Sequence, residues 1–232
     1  MKAMLLTFLA TVAGTVAWAQ VIQGEIPSHP KKAMDMVLMP FGLDHSITAG
    51  QVDKKGVLSI ELEDKDAQNV PQDVKSMFMS DLFFNFHFRC GNGDDFGEYR
   101  DVPAARIDYV RLLQKGQWAG TVFMVSDENL IPWLEDEAYQ PAVSGTFWEV
   151  LYLEDDLSVS TNCTSSKFVD EDTNVDVTYA YQLELKSGFN WVEYQIEEVY
   201  QTENGQMASF PSKVKITNLS DASKIKWIGK YY

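Results

Sequence analysis

Apolar and polar residues alternate along most of this chain, the period of two that marks strands whose side chains point to opposite faces. "VIQGEI" places Ile22 and Ile26 inward, and "AMDMVLMP" puts Met34, Met36 and Leu38 on one face. "SITAGQVDKKGVLSIEL" predicts a β-hairpin turning on Asp53-Lys54-Lys55-Gly56. Gly56 is free to take the left-handed conformation that closes such a turn. Beyond it Leu58, Ile60 and Leu62 point in, while Ser59 and Glu61 point out.

The pattern continues past the middle. "LFFNFHFRC" reads as a strand with Phe84, Phe86, Phe88 and Cys90 on one face and Asn85, His87 and Arg89 on the other. "LSVSTNC" aligns Leu157, Val159, Thr161 and Cys163. "TVFMV" and "TFWEVLYL" are apolar on both faces, as central strands covered on two sides would be. "DVTYAYQLEL" alternates most cleanly, with Val177, Tyr179, Tyr181, Leu183 and Leu185 on one side; after "KSGFN", Val192, Tyr194 and Ile196 resume the phase. "KVKITNL" and "KIKWIGKYY" end the chain with lysines on the outer face, which blunts an exposed edge.

One helix is predicted near 71–82. Pro71 suits its first position, Asp73 its first turn, and Val74, Met77, Phe78 and Leu82 recur at helical spacing. Strands at this density argue an all-β chain, an antiparallel β-sandwich or pair of sandwiches with one short helix. The Gly- and Asp-rich link "CGNGDDFGEYRDVP" suggests a division into an N-terminal β subdomain with the short helix, 20–100, and a C-terminal β-sandwich, 101–232, the alternative being one continuous domain.

Residues 1–19 stand apart. Lys2, an apolar run from Met4 to Trp18 and the small-x-small Ala17-Trp18-Ala19 read as a cleavable signal peptide. The run is shorter than the ~20 residues a membrane span prefers. No later segment is apolar enough to cross a membrane. The expectation is an exported, soluble chain, secreted or periplasmic.

Charge narrows the partners. The chain carries 19 basic and 34 acidic residues, a formal charge of -15. Such a surface repels phosphate backbones, so nucleic acid is not an expected partner; a protein or a glycan is. In an oxidising compartment Cys90 and Cys163 fit either a disulfide or two buried thiols.

Candidate chemistry is sparse. "FVDEDTNVDV" sets Asp170, Asp172, Asn174 and Asp176 at alternate positions, a spacing from which oxygen ligands converge on calcium. An EF-hand is excluded, because Val175 stands where Gly is needed and Tyr181 where Glu is needed. A solvated acidic turn is the first reading and a calcium site the second, the latter needing Glu154, Asp155 and Asp156 from a neighbouring turn. His29, His45 and His87 have no ligand-like spacing, and His87 reads as a surface histidine. No Gly-x-Ser-x-Gly elbow and no phosphate loop occurs, and carboxylate pairs are too easily imagined among 34 acids to signal a glycosidase. Of the tryptophans, Trp148 and Trp227 read as core, and Trp133 in "ENLIPWLEDE" is the candidate exposed ligand contact.

Two stretches resemble known families. "IQGEI", "MDMVLMPFG" and the hairpin on Asp53–Gly56 are similar to the small β domain that precedes thioredoxin-like domains in exported Bacteroidota proteins, although no Cys-x-x-C occurs here. "FWEVLYLEDDLSVSTNC" and "YAYQLELKSGFNWVEYQI" resemble a C-terminal β region of Bacteroidota lipoproteins of unknown function, without a lipobox cysteine. The resemblance implies an exported all-β envelope protein and no activity. The expectation is a non-catalytic protein that binds or builds, without a cofactor. A calcium-stabilised carbohydrate-binding module is the first alternative and a secreted hydrolase the second.

Overall fold

The computed structural model describes residues 21–232 apart from 90, 92, 170–172 and 203. The expected leader, Cys90, Asp170 and Asp172 therefore lie outside the described residues. The first half contains β1 (Ile22–Glu25), β2 (Met34–Leu38), β3 (Ile47–Val52), β4 (Val57–Ile60), α1 (Asp64–Gln68), α2 (Gln72–Phe78), β5 (Ser80–Asp81) and α3 (Leu82–Asn85). There follow β6 (Pro103–Ile107), β7 (Val110–Gln114), β8 (Gln117–Val125), α4 (Ile131–Glu135) and β9 (Gly145–Leu153). The chain ends with β10 (Leu157–Phe168), β11 (Asn174–Leu185), β12 (Gly188–Gln201), β13 (Met207–Asn218) and β14 (Lys226–Tyr231).

All these strands belong to one sheet, in the order β1-β4-β3-β2-β7-β8-β9-β12-β13-β11-β10, with β14 beside β8 and β6 between β5 and β9. The mostly-β architecture with short helices matches the sequence pattern. Gly56, at φ 92°, closes the β3–β4 turn, and the Asp53 carboxylate accepts from the Lys55 and Val57 amides.

One pairing departs from an all-antiparallel design: β11 runs parallel to β13, with Tyr179 beside Val214 and Tyr181 beside Ile216. The strands β11 and β12 splay apart from the "KSGFN" turn, and β13 enters between them. Asn218 ends that insertion by accepting from the Glu184 amide and donating to the Glu184 carbonyl, so its side chain continues the ladder where its strand stops.

The central strands serve two cores. Along β9, Phe147, Leu151 and Leu153 join one buried cluster with β10, β11, β12, β13, α3 and Trp133. Trp148, Val150 and Tyr152 join the other, with β1 to β4, β7 and Trp227. This is why "TFWEVLYL" is apolar in both phases.

One local expectation fails, and the predicted helix is present but shorter. "LFFNFHFRC" is not a continuous strand: α3 turns the backbone, so Leu82, Phe83 and Phe86 point inward while Phe84 is exposed. The helix near 71–82 stops at Phe78, and its inward face carries Lys75 rather than Met77 or Phe78. Lys75 is held by the Tyr152 hydroxyl at 3.3 Å and the Glu154 carboxylate at 3.4 Å, which satisfies the buried ammonium. No helix among the described residues is long and apolar enough to cross a membrane.

Candidate functional site

Glu149 is the feature that the alternation pattern obscures. It lies on β9 in phase with Phe147 and Leu151, so the strand drives its carboxylate into the apolar core, where its side chain is 5% exposed. An ion moved from water to such surroundings costs several kcal/mol unless charge and hydrogen bonds offset the loss. His87 supplies the first offset. Its Nδ1 lies 2.8 Å from Glu149 Oε1, and its own side chain is also 5% exposed. This corrects the expectation of a surface histidine: the bend after α3 turns His87 toward the sheet instead of away from it.

Two further charges close the group. Glu137, just beyond α4, brings Oε1 to 3.2 Å from His87 Nε2, and Arg106 on β6 lies 3.9 Å from Glu149 Oε2 and pairs with Asp108. The register explains Arg106: it stands opposite Leu151, one step along the same face of the sheet as Glu149. The His87–Glu137 contact has ion-pair distance but not the direction of a hydrogen bond, so Nε2 has no aligned acceptor. Glu149 Oε2 is likewise buried without a hydrogen-bond donor.

Electrostatics follow from this arrangement. Burial pushes the His87 imidazole down, but Glu149 and Glu137 on its two nitrogens outweigh that and raise it to about 9. Burial pushes Glu137 up, and the neighbouring His87 and Arg106 cations more than reverse it, holding it below the usual carboxylate range. The Tyr109 hydroxyl is raised to about 12 by burial and by the surrounding carboxylates. At neutral pH His87 is therefore an imidazolium. Phe88, Phe147, Tyr194 and Trp133 ring it with centroids 4.7 to 5.9 Å away, an aromatic enclosure that favours a cation.

The loops that carry these groups are tied down. Trp133 donates its indole N–H to the Ser209 carbonyl at 2.8 Å, and Tyr109 donates to the Leu134 carbonyl at 3.0 Å, which fixes α4 to β13 on one side and to the β6–β7 link on the other. The His87 amide donates to the Tyr194 hydroxyl at 3.3 Å.

Two hollows meet at His87 and Glu137. One, about 110 Å³, lies over Arg106, Asp108 and Glu149; the other, about 330 Å³, lies between Phe88, Trp133, Tyr179 and Phe210 with Arg89 and Lys167 at its rim. The larger reaches the lower end of the range for small-ligand sites, about 300–1,000 Å³.

The expected site residues fall elsewhere or take other parts. Trp133 is not exposed: it is 1% accessible, stacked on Phe88 at 6.2 Å, and meets the larger hollow only as a wall. Among the described residues the exposed tryptophan is Trp118, 53% accessible, with Arg111 over its ring and Tyr232 edge-on. Of the acidic loop, Asn174 opens β11 opposite Phe168, and Asp176 stands opposite Ser166, both exposed. The turn at Glu154–Asp156 lies at the other end of β10, whose 12 residues span about 40 Å. Asn174 and Asp176 therefore do not share an ion with that turn, and no cluster of metal-binding side chains occurs among the described residues. Cys163 is buried facing the core, beside Tyr179.

Reading the sequence missed Glu149, Arg106, Glu137, Arg89 and Lys167. Only Glu149 carried a signal, as the single acid within "TFWEVLYL". No family model, no curated protein and no solved structure matches this chain.

Proposed function

We propose that this is an exported, non-catalytic binding protein of the cell envelope or extracellular space, and that its ligand enters the hollow walled by Phe88, Trp133, Tyr179 and Phe210. The observation that carries the reading is the convergence of that hollow on His87, a buried cation whose titration is strongly displaced; such groups cluster at working sites. The signal-peptide pattern at residues 1–19 and the resemblance to exported Bacteroidota proteins support the location. In that oxidising setting we also propose a Cys90–Cys163 disulfide, supported by the burial of Cys163 beside Tyr179, which packs on Phe88.

General-base catalysis by His87 is disfavoured on chemical grounds. An imidazolium with a carboxylate at each nitrogen has no free lone pair to act as a general base.

Glycan binding remains the second reading, carried by a different surface. The exposed Trp118–Tyr232 pair offers the aromatic area that Trp133 does not.

Ligand-observed NMR with a library of single-ring acids, amides, amines and monosaccharides tests the first reading. Binding to the wild type and not to Ser209→Trp, a variant that fills the hollow while keeping the backbone carbonyl used by Trp133, is the expected result. Equal binding to both would overturn it.

A further inference from the structure

The larger hollow has a charge opposite to that of the molecule around it. The chain is strongly acidic, at -15, yet the side chains lining this pocket include Arg89, Lys167 and the His87 imidazolium against one acid, Glu137. His87 is shared between Glu137 and Glu149, and Arg106 between Glu149 and Asp108, so this group leaves no surplus positive charge. Arg89 and Lys167 are left over: like Lys54, Lys115 and Lys226, neither forms an ion pair among the described residues, but these two line the same hollow.

Arg89 is placed by the irregular chain after α3 and keeps only a loose contact with the Phe84 ring, at 5.9 Å. Lys167 comes from the far end of β10. Two segments distant in sequence thus deliver their cations to the rim of one hollow. Screening limits the reach of exposed charge to about 8 Å at physiological ionic strength, so the groups lining the pocket, Arg89 and Lys167 among them, weigh more inside it than remote surface acids. The walls are aromatic, which suits a flat apolar body beneath a charged head.

We propose that the pocket bounded by Arg89, Lys167, Trp133, Tyr179 and Phe210 takes a small organic anion, a carboxylate or phosphate carried on a flat apolar body. The proposal rests on the binding function argued above and specifies its ligand class. The anionic head sits between the Arg89 guanidinium and the Lys167 ammonium, where charge-assisted hydrogen bonds are strongest. The body lies against the edges of Phe88, Trp133 and Phe210. The surrounding acidic surface then acts as a filter, repelling large polyanions such as nucleic acid while admitting a small one.

Four single-ring probes differing only in the head group test this: benzoate, phenyl phosphate, benzamide and benzylamine, titrated into the full chain by tryptophan fluorescence and calorimetry. One or both anions are expected to bind with a dissociation constant of about 1 mM or tighter, fitting for fragments of this size. Benzamide and benzylamine are expected to bind at least tenfold more weakly, on the order of one charge-assisted hydrogen bond. Lys167→Ala and Arg89→Ala, both exposed positions, are each expected to lower anion affinity about tenfold on the same ground. The stronger of the two anions identifies the head group as carboxylate or phosphate. If benzamide or benzylamine binds as well as the anions, the anion assignment falls and the pocket as a binding site stands. If none of the four binds, both fall.

Discussion

His87 Nδ1 lies 2.8 Å from Glu149 Oε1, and the two side chains are buried to the same degree, each 5% exposed. Neither charge is tolerable there alone. The sheet places Glu149 in the core, and the bend after α3 delivers the cation that makes it stable. The pair therefore joins the irregular segment around His87 to β9, the strand that serves both cores, and the proposed pocket adjoins that junction.

Stability should fall at alkaline pH. The folded-state value of His87 is about 9, above its ordinary 6.5, so the folded chain holds a proton that the unfolded chain has released between those values. Its contribution is fully present below about pH 6.5, declines as pH rises through about 9, and amounts to at most about 3 kcal/mol. The thermal midpoint of the wild type should drop by roughly 5–10 °C between pH 7 and 10. His87→Gln should begin lower and show a much smaller drop in that window. Parallel pH profiles for the two proteins would refute the charged pair.

Removing the carboxylate should be worse than removing its partner's charge. Glu149→Leu leaves His87 and Arg106 without their shared counter-ion and should cost about 3–5 kcal/mol, read by urea unfolding. In Glu149→Gln, which keeps the shape, the His87 titration followed by its ring proton resonances should move down from about 9. An unmoved titration would show that Glu149 is not the group that raises it.

Trp133 should behave as a structural clamp as well as a wall. Trp133→Phe removes the indole donor and leaves the Ser209 carbonyl without its partner. A loss of about 1–3 kcal/mol is expected. A change within measurement error would mean that α4 is held without this bond.

Calcium should not stabilise the chain. Asn174 and Asp176 are exposed on a strand, and the second acidic turn lies a full strand-length away. A ligand at a hundredfold excess over its dissociation constant adds about 2.7 kcal/mol. Midpoints in millimolar calcium and in EDTA should nonetheless coincide. A rise of several degrees with calcium would restore the site at Asp170–Asp176.

The strands were legible because their cause is local. Val177 to Leu185 alternates, and every second residue is buried; the Asp53–Gly56 turn closes where its glycine permits. Where tertiary packing overrides the pattern, the reading failed. Phe84 keeps strand phase with Phe86 and Phe88 in sequence, but α3 rotates it into solvent. The insertion of β13 between β11 and β12 depends on pairing over more than thirty residues, which no window of sequence contains. The candidate site was almost invisible for the same reason. His87, Arg106, Glu137 and Glu149 come from four separate elements or loops, and nothing near Glu137 or Lys167 in sequence marks either as special.

Protein-observed NMR during titration with phenyl phosphate and benzoate tests the binding function most directly. Resonances of the Trp133 indole N–H, Phe88, Tyr179 and the His87 ring should move together and saturate, with Trp118 and Tyr232 unmoved. Saturable shifts at Trp118 and Tyr232 with none at Trp133 would place recognition on the exposed aromatic surface and contradict the account.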